Sequence, residues 1–342
     1  YQKAESGFKR VIEAYPDYDP EMYYSLGMVY QDQKKYLPAA ASFDEFVKRN
    51  TNNPEKKTKA ASLRDNLLFR SQAMTNPVPF NPENVGNGIN TNFSEYSPSL
   101  SLDGGTMIFT RNIGQEDFYI SYKDSMGNFG KAMPLISLNS VFNDGAHAIS
   151  ADGTYLVFTS CDRKDAFGSC DLYFSIFENG KWTIPVNMGH KVNSAAWDSQ
   201  PVLSPDGRTL LFSSRRLGTL GGNDLWMTWR NEKNAWVTPV NLGPQVNSAG
   251  DDETPFLHPD GMTLYFRSNG RVGMGNFDIY VCRRNDIHEP WGEPENIGYP
   301  INSEGAEGAF VVSLEGKKAY FSSDSDYKTG KNMKQLDIYS MD

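Results

Sequence analysis

The sequence contains few of the residues that build common catalytic and metal sites. Its 342 residues include three cysteines and four histidines. No two cysteines have the C-x-x-C spacing of zinc and thioredoxin-like sites, and no two histidines form an H-x-x-x-H pair. These absences argue against a catalytic metal site of the usual kind, and we expect neither a metal nor a cofactor.

Long apolar runs are also missing. None approaches the ~18 residues that a membrane-spanning helix needs, and no basic segment followed by an apolar stretch marks a secretory leader. We therefore expect no transmembrane span in this chain. The sequence opens at Tyr1 inside a helical pattern, so we expect it to be a piece of a longer protein.

Positive charge is scarce in the larger part of the chain. Residues 1–74 carry 12 Lys and Arg against 10 Asp and Glu, whereas the remaining 268 residues carry 21 against 32. Binding to a nucleic-acid backbone needs clustered Lys and Arg, so we expect no nucleic-acid partner.

Residues 1–74 have the apolar spacing of helices, and two segments match at an offset of 35. Tyr23–Tyr30, with the sequence YYSLGMVY, precedes the second copy. The pattern resembles the tetratricopeptide repeat, which has an aromatic residue, Leu-Gly and Tyr on one helix and Ala and Phe on the next. The resemblance implies a small helical domain with a concave groove, to which we assign Tyr23, Tyr24 and Tyr30. A plain amphipathic helical cap is the alternative.

From residue 93 onward the sequence repeats five times. Each repeat has an acidic residue followed by Gly, a β-rich run, a polar loop and an Asp-apolar-aromatic triplet. The turns that anchor the repeats are spaced by 49, 54, 54 and 55 residues and are Asp103-Gly104, Asp152-Gly153, Asp206-Gly207, Asp260-Gly261 and Glu315-Gly316. Asp-Gly favours a tight hairpin turn because Gly adopts positive φ easily.

Four short strands per unit at a period near 50 residues predict β-propeller blades, with strands A to D in each. The fifth repeat stops before its strand D, and the segment Phe80–Thr91 matches the strand D motif of the other repeats. The fold class is therefore mainly β: a small helical domain at 1–74 and a five-bladed propeller at 75–342, in which 75–92 supplies the outer strand of the last blade.

The repeats resemble WD40-like propeller repeats of the TolB type, whose most familiar element is the turn Ser204-Pro205-Asp206-Gly207. Helical repeats followed by such a propeller resemble the PorE-type proteins of the Bacteroidota OmpA family. That resemblance implies a periplasmic, outer-membrane-associated component of the type IX secretion system. Its partners would be protein subunits of an envelope complex, and peptidoglycan would be bound only through a domain absent from this sequence.

Eight residues before each turn anchor lies a carboxylate, and we expect the five to form a ring near the axis of the propeller. The ring consists of Glu95, Asp144, Asp198, Asp252 and Glu307. Loop arginines on the same face, including Arg215, Arg216 and Arg271, suit bidentate pairing with carboxylates. A structural role is favoured because the pattern recurs in every blade. A cation or ligand site at the axis is the alternative.

Together these patterns predict a scaffold that binds other proteins and has no catalytic residues. A ligand-binding sensor is the main alternative, and a glycosidase is a weaker one, because its paired carboxylates belong on particular blades only.

Cys161 and Cys170 bracket one loop, and we treat a disulfide between them as a possibility that requires an oxidising compartment. Cys282 is expected to be a buried thiol.

Overall fold

The structure is a computed structural model, and it describes residues 1–49, 52–305, 307–329 and 331–342. The described residues form four helices followed by five antiparallel sheets, and the fold is a five-bladed β-propeller with a small N-terminal helical region. The helices are α1 (Gln2–Ala14), α2 (Glu21–Asp32), α3 (Tyr36–Arg49) and α4 (Pro54–Thr75).

Small residues let the helices pack closely. A β-carbon at Gly27 would lie 2.9 Å from the ring of Phe43, so the close contact between α2 and α3 requires glycine at this position. Phe43, Phe46 and Leu67 fill the core between the helices. Asn53 begins α4 by accepting a hydrogen bond from the Lys56 amide, and Pro54 occupies the first turn, where a missing N–H costs nothing.

Each sheet consists of strands A to D in spatial order. Sheet 1 contains β2 (Ser94–Leu100), β3 (Thr106–Asn112), β4 (Glu116–Tyr122) and β5 (Met133–Pro134). Sheet 2 contains β6 (Asp144–Ile149), β7 (Tyr155–Cys161), β8 (Cys170–Glu178) and β10 (Val186–Asn187), and the short β9 (Lys181–Trp182) also pairs with β8. Sheet 3 contains β11 (Asp198–Leu203), β12 (Thr209–Ser214), β13 (Asp224–Trp229) and β14 (Val240–Asn241).

Sheet 4 contains β15 (Asp252–Leu257), β16 (Thr263–Ser268), β17 (Asp278–Arg283) and β18 (Glu295–Asn296). Sheet 5 contains β19 (Phe310–Val312), β20 (Ala319–Asp326) and β21 (Lys331–Met341). Its fourth strand is β1 (Glu83–Asn84), which precedes sheet 1 in the chain and pairs antiparallel with β21 through Tyr339 and Ser340. The outer strand of the last blade therefore comes from the segment before the first blade, so this ladder closes the ring of sheets.

The turns between strands A and B position the five sheets in the same way. The glycine of each acidic-Gly pair has φ between 63° and 71°, a conformation that glycine adopts without steric cost. Strands B are buried on both sides because each sheet packs against two neighbours, as Leu210, Leu211 and Phe212 illustrate with almost no exposed surface.

The chain divides into two compact units. One consists of Tyr1–Pro79 together with Val272–Asn276 and Gly298–Gly305, and the other contains the rest of the propeller. Within the first unit, Asn66 on α4 accepts a hydrogen bond from the Gly273 amide, and Lys34 forms an ion pair with Glu304.

Candidate functional site

The ring carboxylates lie where strands A begin. Asp144, Asp198 and Asp252 are the first residues of β6, β11 and β15, and Glu95 is the second residue of β2. These four side chains have no exposed surface, whereas Glu307, in the fifth blade, is partly buried. A buried carboxylate is costly unless it is paired and hydrogen-bonded, so its partners decide what it can do.

Asp198 shows the arrangement most completely. Its Oδ2 accepts hydrogen bonds from the Ser194 amide at 2.6 Å and the Ser194 hydroxyl at 2.8 Å. Its Oδ1 accepts from the Ser214 hydroxyl at 2.5 Å and from Arg216 Nη2 at 2.6 Å. The same Arg216 nitrogen donates to the carbonyl of Val192 at 2.8 Å. We call this set of contacts, built on an axial carboxylate, a hydroxyl residue four positions earlier and a loop arginine, the carboxylate latch.

Blades one and two contain the same latch. Glu95 accepts from the amide and hydroxyl of Thr91 and from Arg111 Nε at 2.7 Å. Asp144 accepts from the amide and hydroxyl of Ser140, as well as from Arg163 Nη2 at 2.8 Å. Each latch therefore ties the loop that enters strand A to the end of strand B in the same sheet. Arg111 is on β3 itself, whereas Arg163 and Arg216 lie just beyond the ends of β7 and β12.

The latch arginines also stack on the aromatic residue of the repeated triplet. The guanidinium carbon of Arg111 lies 4.2 Å from the ring centroid of Tyr119. Arg163 lies 4.8 Å from the Tyr173 ring, and Arg216 lies 5.2 Å from the Trp226 ring. The carboxylate and the aromatic face together hold each guanidinium in place, a geometry that arginine supports and lysine does not.

Blade four departs from this pattern. Arg271 donates to the carbonyls of Gln245 and Val246, and among the described residues no ion pair joins it to Asp252. Asp252 still accepts from the amide and hydroxyl of Ser248. Burial raises the pKa of Asp252, and the hydrogen bonds and the more distant Arg271 oppose that rise.

The structure separates two arginines that are adjacent in sequence. Arg216 is part of the latch of blade three, whereas the side chain of Arg215 is 63% exposed and donates to Asn223 at 3.0 Å. Arg215 thus lies away from the ring carboxylates. In blade five, the backbone carbonyl of Glu307 is 3.5 Å from Arg267, which forms its ion pair with Glu253 instead.

Two further sets of recurring side chains hold strands C and D. Both sets belong to the repeated sequence patterns, but the patterns alone did not reveal their roles. The triplet residue Asp224 accepts from the amides of Leu220 and Gly221 in the preceding loop and from the Asn241 side chain on strand D. The same contacts recur around Asp171, with Asn187 as the strand D donor. In these two blades the triplet carboxylate therefore binds the backbone of its own loop.

Asparagine side chains clamp strand C in four blades, counted over the hydrogen bonds that the described residues show. The side-chain amide of Asn247 both accepts from the N–H of Leu225 and donates to its carbonyl, at 2.8 and 3.0 Å. Asn90 makes the same pair of hydrogen bonds with Ile338, both at 2.8 Å. The other two clamps are the half-buried Asn139 on Phe118 and the buried Asn193 on Leu172. Each of the four asparagines follows an apolar residue and precedes Ser or Thr, and this is the sequence feature that identifies them.

A disulfide joins Cys161 and Cys170, which face each other across strands β7 and β8. The remaining cysteine, Cys282, is a buried free thiol on β17. Burial raises the pKa of Cys282 to about 12. The thiolate is the reactive form of cysteine, so the folded protein keeps this thiol unreactive.

The three tyrosines assigned to the helical groove point in two directions. Tyr23 and Tyr30 line a shallow cavity between the helices, together with Leu26 and Ile12. Tyr24 lies on the other side of α2, where its ring packs edge-on against Phe43 and Phe46. The groove therefore contains two of the three tyrosines, and both are largely buried.

Exposed apolar side chains gather on the loops at the carboxylate end of the sheets. These loops connect strands B to C and D to A, and they pack side by side, as the hydrogen bond from Gln115 to the Ser140 carbonyl shows. We call this surface the loop face. Its apolar side chains range from about half to fully exposed, and they are Phe93, Ile113, Val141, Phe167, Leu217 and Leu220.

Within the described parts of the chain, no group of three or more His, Cys, Asp or Glu side chains is placed to hold a metal ion. No helix among the same residues is long and apolar enough to cross a membrane.

Comparisons with known proteins support the fold alone. No family model matches the sequence, and no curated protein is significantly similar to it. Solved structures do match: a thermostable family-43 glycoside hydrolase has a TM-score of 0.52 and 11% identity over 74% of this chain and 90% of its own. A xylan β-1,4-xylosidase from Bacillus halodurans C-125 has a TM-score of 0.50 and 18% identity, over 74% of this chain and 53% of its own.

A TolB from Agrobacterium tumefaciens also matches, with a TM-score of 0.42 and 16% identity over 71% of this chain and 73% of its own. Identities this low do not transfer an activity, because one propeller architecture serves many functions. The chain is a five-bladed β-propeller protein, and its function has to be argued from its own surfaces.

Proposed function

We propose that this chain is a non-catalytic scaffold of the bacterial envelope and that its loop face binds another protein. The observation that carries the proposal is the number of exposed apolar side chains on the loops at one end of the sheets, among which Val141 and Leu217 are almost fully exposed. Exposed apolar area of this kind is typical of a surface to which a partner binds.

The carboxylate latches support this reading because they fix the loops that display these side chains. Val141 directly follows Ser140, whose amide and hydroxyl bind Asp144. Leu217 directly follows Arg216 in the latch of blade three. A rigid scaffold with variable loops is the usual arrangement of a binding surface, since little loop ordering is needed when the partner docks.

The latches also weigh against catalysis at the ring. Asp198 already accepts four hydrogen bonds from its own chain, and Asp144 and Glu95 are similarly occupied. A glycosidase needs two carboxyl groups whose oxygens are directed at the substrate. In blades one to three, the ring acids are directed at groups of their own sheet and loops instead.

The specific role rests on the sequence resemblance. We propose that the chain is a periplasmic, outer-membrane-associated component of the type IX secretion system, with tetratricopeptide-like helices before its propeller. In this role the loop face and the helical groove bind protein subunits, and a separate domain contacts peptidoglycan. The net charge of −9 is compatible with protein partners and unfavourable for a polyanion.

The test compares two matched double variants in a binding assay. The immobilised chain is incubated with envelope extract, and captured proteins are cross-linked and identified by mass spectrometry. We expect secretion-machine subunits to be captured. Replacing Ile113 and Val141 with Ser should reduce their recovery at least tenfold, because buried apolar contacts at an interface centre are lost.

The control carries the same two exchanges elsewhere on the propeller. Ile184 and Val186 lie at the outer strand of blade two and are also exposed, so Ile184→Ser with Val186→Ser should leave recovery unchanged. Equal losses in both variants, or capture that neither variant alters, would contradict the assignment of the loop face. Hydrolysis of an aryl glycoside by the purified chain would overturn the non-catalytic role.

A further inference from the structure

The propeller has a cavity, partly open to solvent, that neither the latches nor the loop face explains. It has a volume of about 140 Å³ and is lined by all five strands A, in the first four blades from the middle of the strand toward its turn with strand B and in blade five at the start of β19. It therefore lies toward the opposite end of the strands from the carboxylates. We call it the axial chamber.

The walls of the axial chamber are mostly apolar and contain no charged side chain. The lining residues with polar side chains are Ser97, Ser99, His147, Ser150, Gln200 and Thr254. Three of the five strands A place a proline at the same repeat position, and these are Pro98, Pro201 and Pro255. Pro205 and Pro259 lie next to the turns with strand B, where Leu102 also lines the cavity. A charged ligand would lose its hydration here with nothing to compensate, so the chamber selects against one.

The equivalent position in blade two holds His147 instead of proline. Its Nε2 is 2.7 Å from the hydroxyl of Ser99, and both residues line the chamber. Burial lowers the pKa of His147 to about 3, and the backbone of Ile108 opposes that shift. The imidazole is thus neutral, and its Nε2 shares a hydrogen bond with the Ser99 hydroxyl.

The oxygen of Ser99 keeps hydrogen-bonding capacity beyond this contact, since a hydroxyl group has one donor and two acceptor positions. The pair therefore gives this part of the chamber a polar point to which a hydroxyl group on a ligand can bond.

The volume sets the size of the ligand. Apolar cavities of about 150 Å³ in proteins hold one benzene-sized molecule. We propose that the axial chamber binds a small uncharged molecule with one aromatic ring and one hydroxyl group, such as a phenol, with its hydroxyl directed at Ser99. This binding would be a second property of the propeller, independent of a protein partner on the loop face.

Phenol itself is the probe, and NMR is the measurement. We expect phenol to bind the full chain with a Kd of about 1 mM or below, which is a modest affinity per atom for a ligand of this size. The imidazole resonances of His147 should shift on titration, whereas those of the exposed His190 should not. Benzoate and benzylammonium, which have the same ring and a charge, should bind at least about tenfold more weakly.

Two variants separate the ring from the hydroxyl group. His147→Phe follows the chain's own precedent, because Phe310 occupies the equivalent position in blade five. Without the imidazole, the Ser99 hydroxyl loses the partner that orients it, and we expect phenol affinity to fall about fivefold while toluene affinity is unchanged. Ala309→Phe places a ring in the chamber itself and should abolish binding of both.

The matched control is Ala195→Phe, the same exchange at an exposed loop position, which should bind phenol normally. If phenol causes no shift at His147, or if Ala309→Phe and Ala195→Phe bind it equally, the proposal is wrong. Should Ala309→Phe fail to fold, the wild-type titration still decides, because a response at His190 equal to that at His147 would mean surface binding only.

Discussion

Arg216 donates to the fully buried carboxylate of Asp198 at 2.6 Å, and its neighbour Arg215 contacts no axial carboxylate. The two side chains are consecutive in sequence, yet only one is part of a latch. They therefore form a natural pair for measuring what a latch contributes.

Replacing Arg216 with Met should lower the free energy of unfolding by about 3 kcal/mol, because it leaves Asp198 buried without its ion-pair partner. Replacing Arg215 with Met should change stability by less than about 0.5 kcal/mol, since exposed charges contribute little. Chemical denaturation monitored by circular dichroism measures both. Comparable losses of stability in the two variants would show that the latch arginine contributes no more to the free energy of unfolding than an exposed arginine does.

Asn90 links the first residues of the propeller to its last strand. Asn90→Ala removes the partners of both the N–H and the carbonyl of Ile338, and we expect a loss of about 2–4 kcal/mol because both groups are buried. Hydrogen exchange of β21 should accelerate with it. Asn247→Ala breaks the same clamp inside one blade and should accelerate exchange in β13 while sparing β21.

Stability should depend on pH through His147. Its pKa is about 3 in the folded chain and near 6.5 when exposed, so the unfolded state binds the proton first as pH falls. The stability associated with the neutral ring is fully present above pH 6.5 and is lost progressively between pH 6.5 and 3. The contribution to the slope is about 1.4 kcal/mol per pH unit. His147→Phe should flatten the wild-type profile over this window, and parallel profiles would refute the assignment.

The cysteines should differ sharply in reactivity. Iodoacetamide should modify no cysteine of the native chain, because Cys161 and Cys170 are bonded and the Cys282 thiol is buried with its pKa raised to about 12. After mild reduction two carbamidomethyl groups should be added, and after unfolding three, as read by intact mass. Modification of Cys282 in the native state would contradict its burial.

Much of the architecture could be predicted from repeating residues. The acidic-Gly turns predicted five blades because each required the same positive-φ residue at the same interval. The offset of eight residues between each ring carboxylate and its acidic-Gly turn located the ring, and the carboxylates of blades one to four are fully buried. The choice between Arg215 and Arg216 could not be predicted, since a single step along a loop reverses the direction of a side chain.

The sequence did not predict the axial chamber either, again because a local change of backbone direction could not be foreseen. Strands A bend at bulges where Ser97, Ala146, Gln200 and Thr254 adopt positive φ. None of these is a glycine, so the sequence gives no warning of the bend that shapes the cavity wall. The polar segment that follows Ser323 is likewise not a loop as its composition would suggest, because β20 and β21 extend into it and Asp326 pairs with Lys331. Polar composition favours a loop, and pairing with a neighbouring strand overrides such a preference.

The pairing of β1 with β21 has a consequence for how the protein is made. Asn84 and Asp337, which bond across this ladder, are 253 positions apart, so the ribosome delivers one side of the closure long before the other. Until β21 has been made, β1 has no partner and the final blade is incomplete. Synthesis that stops before β21 would leave the first four blades present but the ring open, which makes β21 the checkpoint of assembly.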